Sequence, residues 1–419
     1  MKQYRSLFRN RNFLLHWLAG AISNVGDFFN TLALVKLLSE DPAHLGLYMA
    51  VIMVAHMLPG LVLGPVAGVM ADRLPRKVIM IISDVLRAGL MVGLVVVRQP
   101  VQILTLVALA AIVSAFFNPA SNALMPSLVA KEELVTAGSL SVMTQRMAML
   151  LGNGIGAWFL MAAGAHNVFY VDAASFVVSA LMVAGIRVKA ATVPTPDRAE
   201  AESGAGLWGK FRGDIGEALA FLRNAPVVRH LLGTLAITSV ADSALNVLLI
   251  PFFMIGLGLA AASIGFVNAL FGGASVIGAL VIGAMGHRVH WRHLMSYGMV
   301  FGWFVMMAAL LTDSVVPSIT FLTLLGLGSG AMNVGLQAAI GELVPDHVRG
   351  RVFSAWGMVN SSIYVVGVTA AGLLSDKFGP TRTLMGFTTF FLLGAIYAFI
   401  AFRRPPAVRT EAEPAAVAD

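Results

Sequence analysis

What most limits this chain is a succession of apolar runs, each about as long as the ~20 residues a helix needs to cross a bilayer. Twelve are expected, near residues 13–37, 46–70, 78–97, 102–126, 136–163, 168–187, 229–257, 263–285, 293–312, 317–341, 351–374 and 381–402. A backbone in hydrocarbon has no water to bond to, so each run must satisfy its own peptide groups as a helix. The predicted fold class is an all-α membrane protein of twelve transmembrane helices. Composition agrees: 58% of the 419 residues are hydrophobic and only 12% charged, against about 25% charged in a soluble domain. The first run, Asn12–Leu38, is too long for a cleavable signal peptide and has no small-residue cleavage site, so it reads as a retained anchor.

The net charge of +7 does not point to nucleic acid, because the basic residues cluster in alternate loops without interleaved aromatics. Twenty-two of the 28 Lys and Arg fall on the side that holds both termini, which the positive-inside bias makes cytoplasmic. The chain contains no cysteine, which excludes disulfides, thiolate metal sites and thiol nucleophiles. The histidines show no ligand spacing, so neither a metal nor a cofactor is expected.

A short basic turn, Gly68-Val69-Met70-Ala71-Asp72-Arg73-Leu74-Pro75-Arg76-Lys77, joins the second and third runs. Its glycine allows close packing, and Asp72 is placed to cap the next helix or pair with a neighbouring Arg. Adding 215 to each number gives Gly283 to Arg292, a decayed copy in the equivalent place. Leu128-Val129 likewise maps onto Leu343-Val344. The chain therefore reads as a duplication: two six-helix bundles related by a pseudo-two-fold axis along the membrane normal. The expected divisions are a first bundle over 1–187, a cytoplasmic linker over 188–228, a second bundle over 229–402 and a disordered tail over 403–419. Within the linker, Leu207, Phe211, Ile215, Leu219 and Leu222 share one face of an amphipathic helix suited to the membrane surface.

Polar side chains inside the runs need a reason, since an Asp at a helix centre costs about 2.5–3.5 kcal/mol on insertion scales. Asn24, Asp27 and Thr31 share a face of the first run, and Ser239, Asp242 and Asn246 repeat it on the seventh. Asn118 and Asn122 on the fourth correspond to Asn333 and Gln337 on the tenth, and Gln145 on the fifth to Asn360 on the eleventh, flanked by Trp356 and Tyr364. Such stripes cannot face lipid. They are expected to meet in a cavity between the bundles near the midplane, or else to join helices as interhelical hydrogen bonds. Asp27 and Asp242 are the candidate proton carriers, with Arg146 as partner to Asp27. Asp84 and Arg87 read as a structural pair near the cytoplasmic end of the third run, and Lys36 and Asp172 as reaching the outer surface. Gly152 and Gly156 read as a close helix contact that also permits sliding.

The duplicated loop, the twelve runs and the central link resemble the major facilitator superfamily. Phe8-Arg9-Asn10-Arg11-Asn12-Phe13, Val25-Gly26-Asp27, Ala71–Lys77, Phe221–Pro226 and Arg349-Gly350-Arg351-Val352 are similar to its enterobactin-exporter and macrolide-efflux-like branch. The resemblance implies secondary transport at a bacterial inner membrane, mostly proton-driven export of amphipathic compounds. It implies a conformational latch in which Gly68, Asp72, Arg73, Arg76 and Lys77 work against Arg349 and Arg351 at the end of the eleventh helix. The arginine that proton-antiport members carry in the fourth span has no counterpart between Gln102 and Pro126, and Arg146 is the substitute this reading offers.

The expected function is an exporter working by alternating access, whose partners are protons, a small-molecule substrate and the lipid bilayer, with a monomer as the default. Phe28, Phe29, Phe116, Phe117, Met143, Met147 and Trp356 would suit a bulky apolar ligand, or serve as packing. The alternatives are an importer or facilitator of a nutrient or lipid-like solute and, remotely, a sensor. An enzyme is not expected, since no nucleophile, metal cluster or paired surface carboxylates are found.

Overall fold

The computed structural model describes residues 2–187, 223, 225–285, 289–344 and 346–402. The expected surface helix at 207–222 and the tail at 403–419 lie outside these. Among the described residues, twelve helices of 20 residues or more follow one another: α1 (Arg11–Leu38), α2 (Leu45–Arg73), α3 (Arg76–Val96), α4 (Pro100–Leu128), α5 (Leu134–Ala163), α6 (Ala165–Ala184), α7 (Pro226–Pro251), α8 (Ala261–Met285), α9 (Trp291–Leu310), α10 (Val315–Leu343), α11 (Asp346–Phe378) and α12 (Pro380–Ala401). An eight-residue helix, Lys2–Arg9, precedes them. Ten of the twelve are long and apolar enough to cross a membrane. The other two, α5 and α11, run 30 and 33 residues. No strand occurs among the described residues.

The duplication is visible in the backbone. Helices starting at Arg11, Arg76, Pro100 and Ala165 have counterparts starting at Pro226, Trp291, Val315 and Pro380, each 215 residues on. The tight turns before α6 and α12 repeat too: Gly164 and Gly379 sit at φ 80° and 83°, a left-handed geometry that costs glycine nothing. Proline at the first position of α4, α7 and α12 starts a helix where its missing N–H would have had no partner.

Polar side chains pin helix ends together at the end that holds the termini. The Asn10 carboxamide oxygen caps α1 by accepting from the N–H groups of Asn12 and Phe13, while its Nδ2 donates to the Leu128 carbonyl at 2.6 Å. Asn12 exchanges two bonds with the backbone of Arg187, at 2.9 and 3.0 Å. In the second half, Trp291 packs edge-on against Phe402 at the same end.

The halves meet firmly at the opposite end, where α2 crosses α11. A Cβ on Gly372 would come within 2.5 Å of the Ala50 Cβ, and one on Gly46 within 2.6 Å of Ser375 Oγ. The Leu47 N–H donates to Asp376 Oδ1 across the same crossing at 3.3 Å. The largest apolar cluster is shared there, with Leu32, Leu45 and Phe169 from one half and Val247, Leu248 and Phe252 from the other. A second inter-half contact joins α5 to α8.

The basic loop departs from one expectation. Pro75, not Asp72, occupies the cap position of α3, and no side chain caps there. Asp72 is exposed. Among the described residues, Arg76 and Lys77 bond within their own half. Arg76 donates to the carbonyls of Ala71 and Ala123, at 3.2 and 2.8 Å. Lys77 donates to those of Ala184 and Ile186, at 2.5 and 2.8 Å. The reason is local for Ala71, Ala184 and Ile186: carbonyls at or just past helix C-termini lack helical partners and carry the negative end of the helix dipole, so they attract the nearest cation. The side chains of Arg349 and Arg351 lie outside the described set.

Candidate transport site

Asp27 is residue 17 of the 28 in α1, close to mid-membrane on a helix rising about 1.5 Å per residue. Two cavities flank it. The larger, about 500 Å³, runs along α1 from His16 and Trp17 to Asp27 and takes its other walls from α3, α4 and α5. The smaller, about 330 Å³, runs from Asn24 to Leu34 and adds His56 of α2 and Phe176 of α6. Five polar side chains line both: Asn24, Asp27, Arg87, Asn118 and Gln145. Asp27 therefore stands at a junction between a space facing the terminal end and one facing the closed end, with its side chain open to it.

Arg87 comes from α3 and is almost fully buried, at 5% exposure. Its guanidinium forms an ion pair with Asp84, one turn back on the same helix, and is sandwiched between the rings of Phe117 and Phe176, at 4.4 and 4.3 Å. Cation–π contacts of this kind gain strength once water is excluded. Ser179 of α6 donates to Asp84 Oδ2 at 2.7 Å, so Asp84 is doubly held and closed to solvent. Arg87 keeps an unpartnered Nε and turns towards the cavities and Asp27.

Several expected partnerships are not formed. Arg146 is exposed and lines neither cavity; the cation beside Asp27 is Arg87. The Asp84–Arg87 pair lies three turns into α3 rather than near its end. Asp172 does not reach the surface: it is 0% exposed, packed under α1. Asp242 lines a separate cavity of about 70 Å³ in the second half, with Leu245, Phe271, Met299 and Met332. As far as the described residues go, both Asp27 cavities are walled by the first half.

The remaining polar candidates serve local bonds or open surface. Asn24 and Thr31 donate to backbone carbonyls four residues back, Gly20 and Asp27, and Asn246 repeats the pattern on Asp242. Asn122 lines the larger cavity. Asn333 and Gln337 are exposed on α10. Asn360 accepts from Ser239 Oγ at 2.6 Å, tying α11 to α7, and Trp356 packs on the apolar core of the second half. Of the apolar set, Phe28 and Phe117 line the cavities, whereas Phe116 faces a groove on the outer wall. Gly152 and Gly156 are tight: a Cβ there would meet Phe28 at 2.7 Å and Phe29 at 2.9 Å.

Arg87 could have been recognised in the sequence as the sole Arg in the middle of any of the first four runs. The Asp172, Ser175, Ser179 stripe, at spacings of three and four, marks a buried face of α6.

Comparison with known proteins agrees with this architecture. YfiS of Bacillus subtilis (strain 168), an MFS-type transporter, is 26% identical over 91% of this chain and 91% of its own length. Macrolide efflux protein A of Streptococcus pyogenes is 24% identical over 87% of this chain and 89% of its own. The enterobactin exporter EntS of Citrobacter koseri is 24% identical over 84% and 83%. Among solved structures, a bacterial homologue of the iron transporter ferroportin, in an inward-facing state, superposes with a TM-score of 0.73 at 16% identity, covering 95% of this chain and all of that one. The sequence model of the Major Facilitator Superfamily matches residues 14–322 and again 231–417. The chain is a membrane transporter of the major facilitator superfamily and not an enzyme.

Proposed function

We propose that this transporter exports amphipathic small molecules in exchange for protons, with Asp27 as the group that takes up the proton. The observation that carries the reading is the position of Asp27 between two cavities, beside the buried cation Arg87. A carboxyl placed there is open to whichever side the transporter faces, and its charge state changes its attraction to Arg87, an attraction that strengthens where water is excluded. Coupling then needs only that proton and substrate favour different arrangements of the two halves. The efflux proteins named above favour export over import, and the apolar cavity wall at Phe28 and Phe117 suits amphipathic cargo.

With the basic loops on the cytoplasmic side, the arrangement described here is closed outward at the α2–α11 crossing. Its larger cavity faces the cytoplasm, the side from which an exporter collects substrate. Arg76 and Lys77, bound within their own half in this arrangement, would be free to engage α11 only after the cytoplasmic side closes. Asp242, alone in its pocket, is a secondary candidate for proton uptake.

The test is accumulation of a labelled macrolide, a cationic dye and a siderophore in cells expressing the wild type or Asp27→Asn, with and without a protonophore. Lower accumulation with the wild type, lost on Asp27→Asn and on adding protonophore, is expected. Unchanged or higher accumulation across the panel would rule out export and favour the importer reading.

A further inference from the structure

Asp172 is used by no step above, yet it is as fully enclosed as Asp84 beside the site. It lies on α6, fully buried, directly against the backbone of Gly26, the residue before Asp27. A Cβ at Gly26 would fall 2.3 Å from Asp172 Oδ1 and 2.5 Å from Ser175 Oγ, so glycine there leaves the space the carboxyl occupies. Asp172 receives little in return for its burial. Ser175 Oγ lies 3.3 Å from Oδ1 but is better directed at the Asp172 carbonyl, at 2.7 Å. The Asn30 side chain on α1 approaches the same carboxyl, yet neither Asp172 Oδ2 nor Asn30 Oδ1 has a well-directed hydrogen bond.

Charge counting then constrains the cluster. Asp27 and Asn30 face Asp172 from α1, and Arg87 acts on it from α3. Asp84 on α3 is paired to Arg87, and His56 of α2 faces Asp27. Arg146 of α5 stands outside. Three carboxyls thus meet one guanidinium and one imidazole, and full ionisation would leave excess negative charge even with His56 protonated. Uncompensated buried charge is among the costliest arrangements in a protein. Asp84, held by Arg87 and Ser179, is the carboxylate the structure satisfies. The uncharged one must come from the other two.

We propose that Asp172 is a second proton-binding carboxyl that shares the site's proton with Asp27. Asp27 exchanges protons with the cavity, and Asp172 holds the proton in the sealed layer behind Gly26. When a proton passes from an Asp27 carboxyl oxygen to Asp172 Oδ2, the negative charge passes the other way and the pair's total charge is unchanged. The inference deepens the proton-coupling reading and takes its significance from it.

Infrared difference spectroscopy on the purified full-length chain tests this without any substrate, so a failure of export in cells leaves the result readable. All spectra use an Asp242→Asn background, which removes the isolated carboxyl of the second half. A pH-dependent carbonyl band of a protonated carboxyl should survive Asp27→Asn and disappear when Asp172→Asn is added. Ser175→Ala, which keeps the carboxyl, should shift the frequency of the surviving band. A band lost with Asp27→Asn alone, or one of the same size with and without Asp172→Asn, would overturn the proposal.

Discussion

Replacing Arg87 by Met should be the most damaging single change to stability in the first half. It removes the cation from Asp84, a carboxylate with no solvent exposure, and leaves Ser179 as its sole hydrogen-bond donor among the described residues. Breaking a buried pair by deleting one partner costs about 3–5 kcal/mol, whereas removing both for apolar groups of similar volume is often neutral. Two cation–π contacts, at 4.4 and 4.3 Å, add roughly 1–2 kcal/mol to the loss. The Met side chain recovers part of that by filling the slot between Phe117 and Phe176. Arg87→Met should therefore cost at least about 3 kcal/mol, more than a hundredfold in the folding equilibrium. Asp84→Leu/Arg87→Met should regain most of it. Thermal unfolding in detergent, followed by the fraction still monodisperse after heating, gives the order directly: wild type, double variant, then Arg87→Met. A single variant as stable as wild type, or a double variant no better than the single, would refute the idea that burial of an uncompensated charge sets the cost.

Gly26→Ala places a methyl group within 2.3 Å of Asp172 Oδ1. The helices α1 and α6 must part, at a cost of roughly 1–3 kcal/mol for overpacking, which the same heating assay would register. The native chain has no cysteine, so Gly46→Cys with Ser375→Cys gives an isolated pair whose Cβ atoms lie about 2.8 Å apart before relaxation, so the helices must part slightly to reach the separation of about 3.5–4.5 Å that a disulfide spans. Oxidation should crosslink the two halves at the closed end and abolish transport until reductant is added, as seen by gel mobility and uptake in the same vesicles. Lys77→Ala, which removes donors from two helix-end carbonyls, should cost about 1.5–3 kcal/mol at most, measurable as earlier proteolysis at the α6 end.

Much of the fold is legible in the sequence because a bilayer enforces it. Runs such as Val78–Val97 and Pro317–Gly341 have one stable solution in hydrocarbon, so their number and bounds follow from length alone. The 215-residue repeat is legible because the loops keep Gly and Arg at fixed register and because Gly164 and Gly379 do the same turn's work. Asp27 stands out as a carboxyl in an apolar helix. Its surroundings do not, because sequence spacing says which residues share a face of one helix but not which neighbour that face meets. Arg146 and Arg87 are both arginines in apolar runs, and only the packing of α3 against α4 and α6 turns Arg87 inward while leaving Arg146 exposed. Asp172 misleads for the same reason: its distance from the helix start resembles that of a residue that could reach the surface, yet it sits under Gly26.

Proton movement by the purified chain bears most directly on the claim that Asp27 takes up the proton. Proteoliposomes containing it, loaded with a pH-sensitive dye and buffered equally on both sides, would receive whichever macrolide, dye or siderophore the cell assay shows to be exported. Adding that compound should produce a pH change inside the vesicles with the wild type and none with Asp27→Asn. A pH change of equal size with Asp27→Asn would contradict the assignment of proton uptake to Asp27, and transport of the compound with no pH change in the wild type would contradict proton exchange itself.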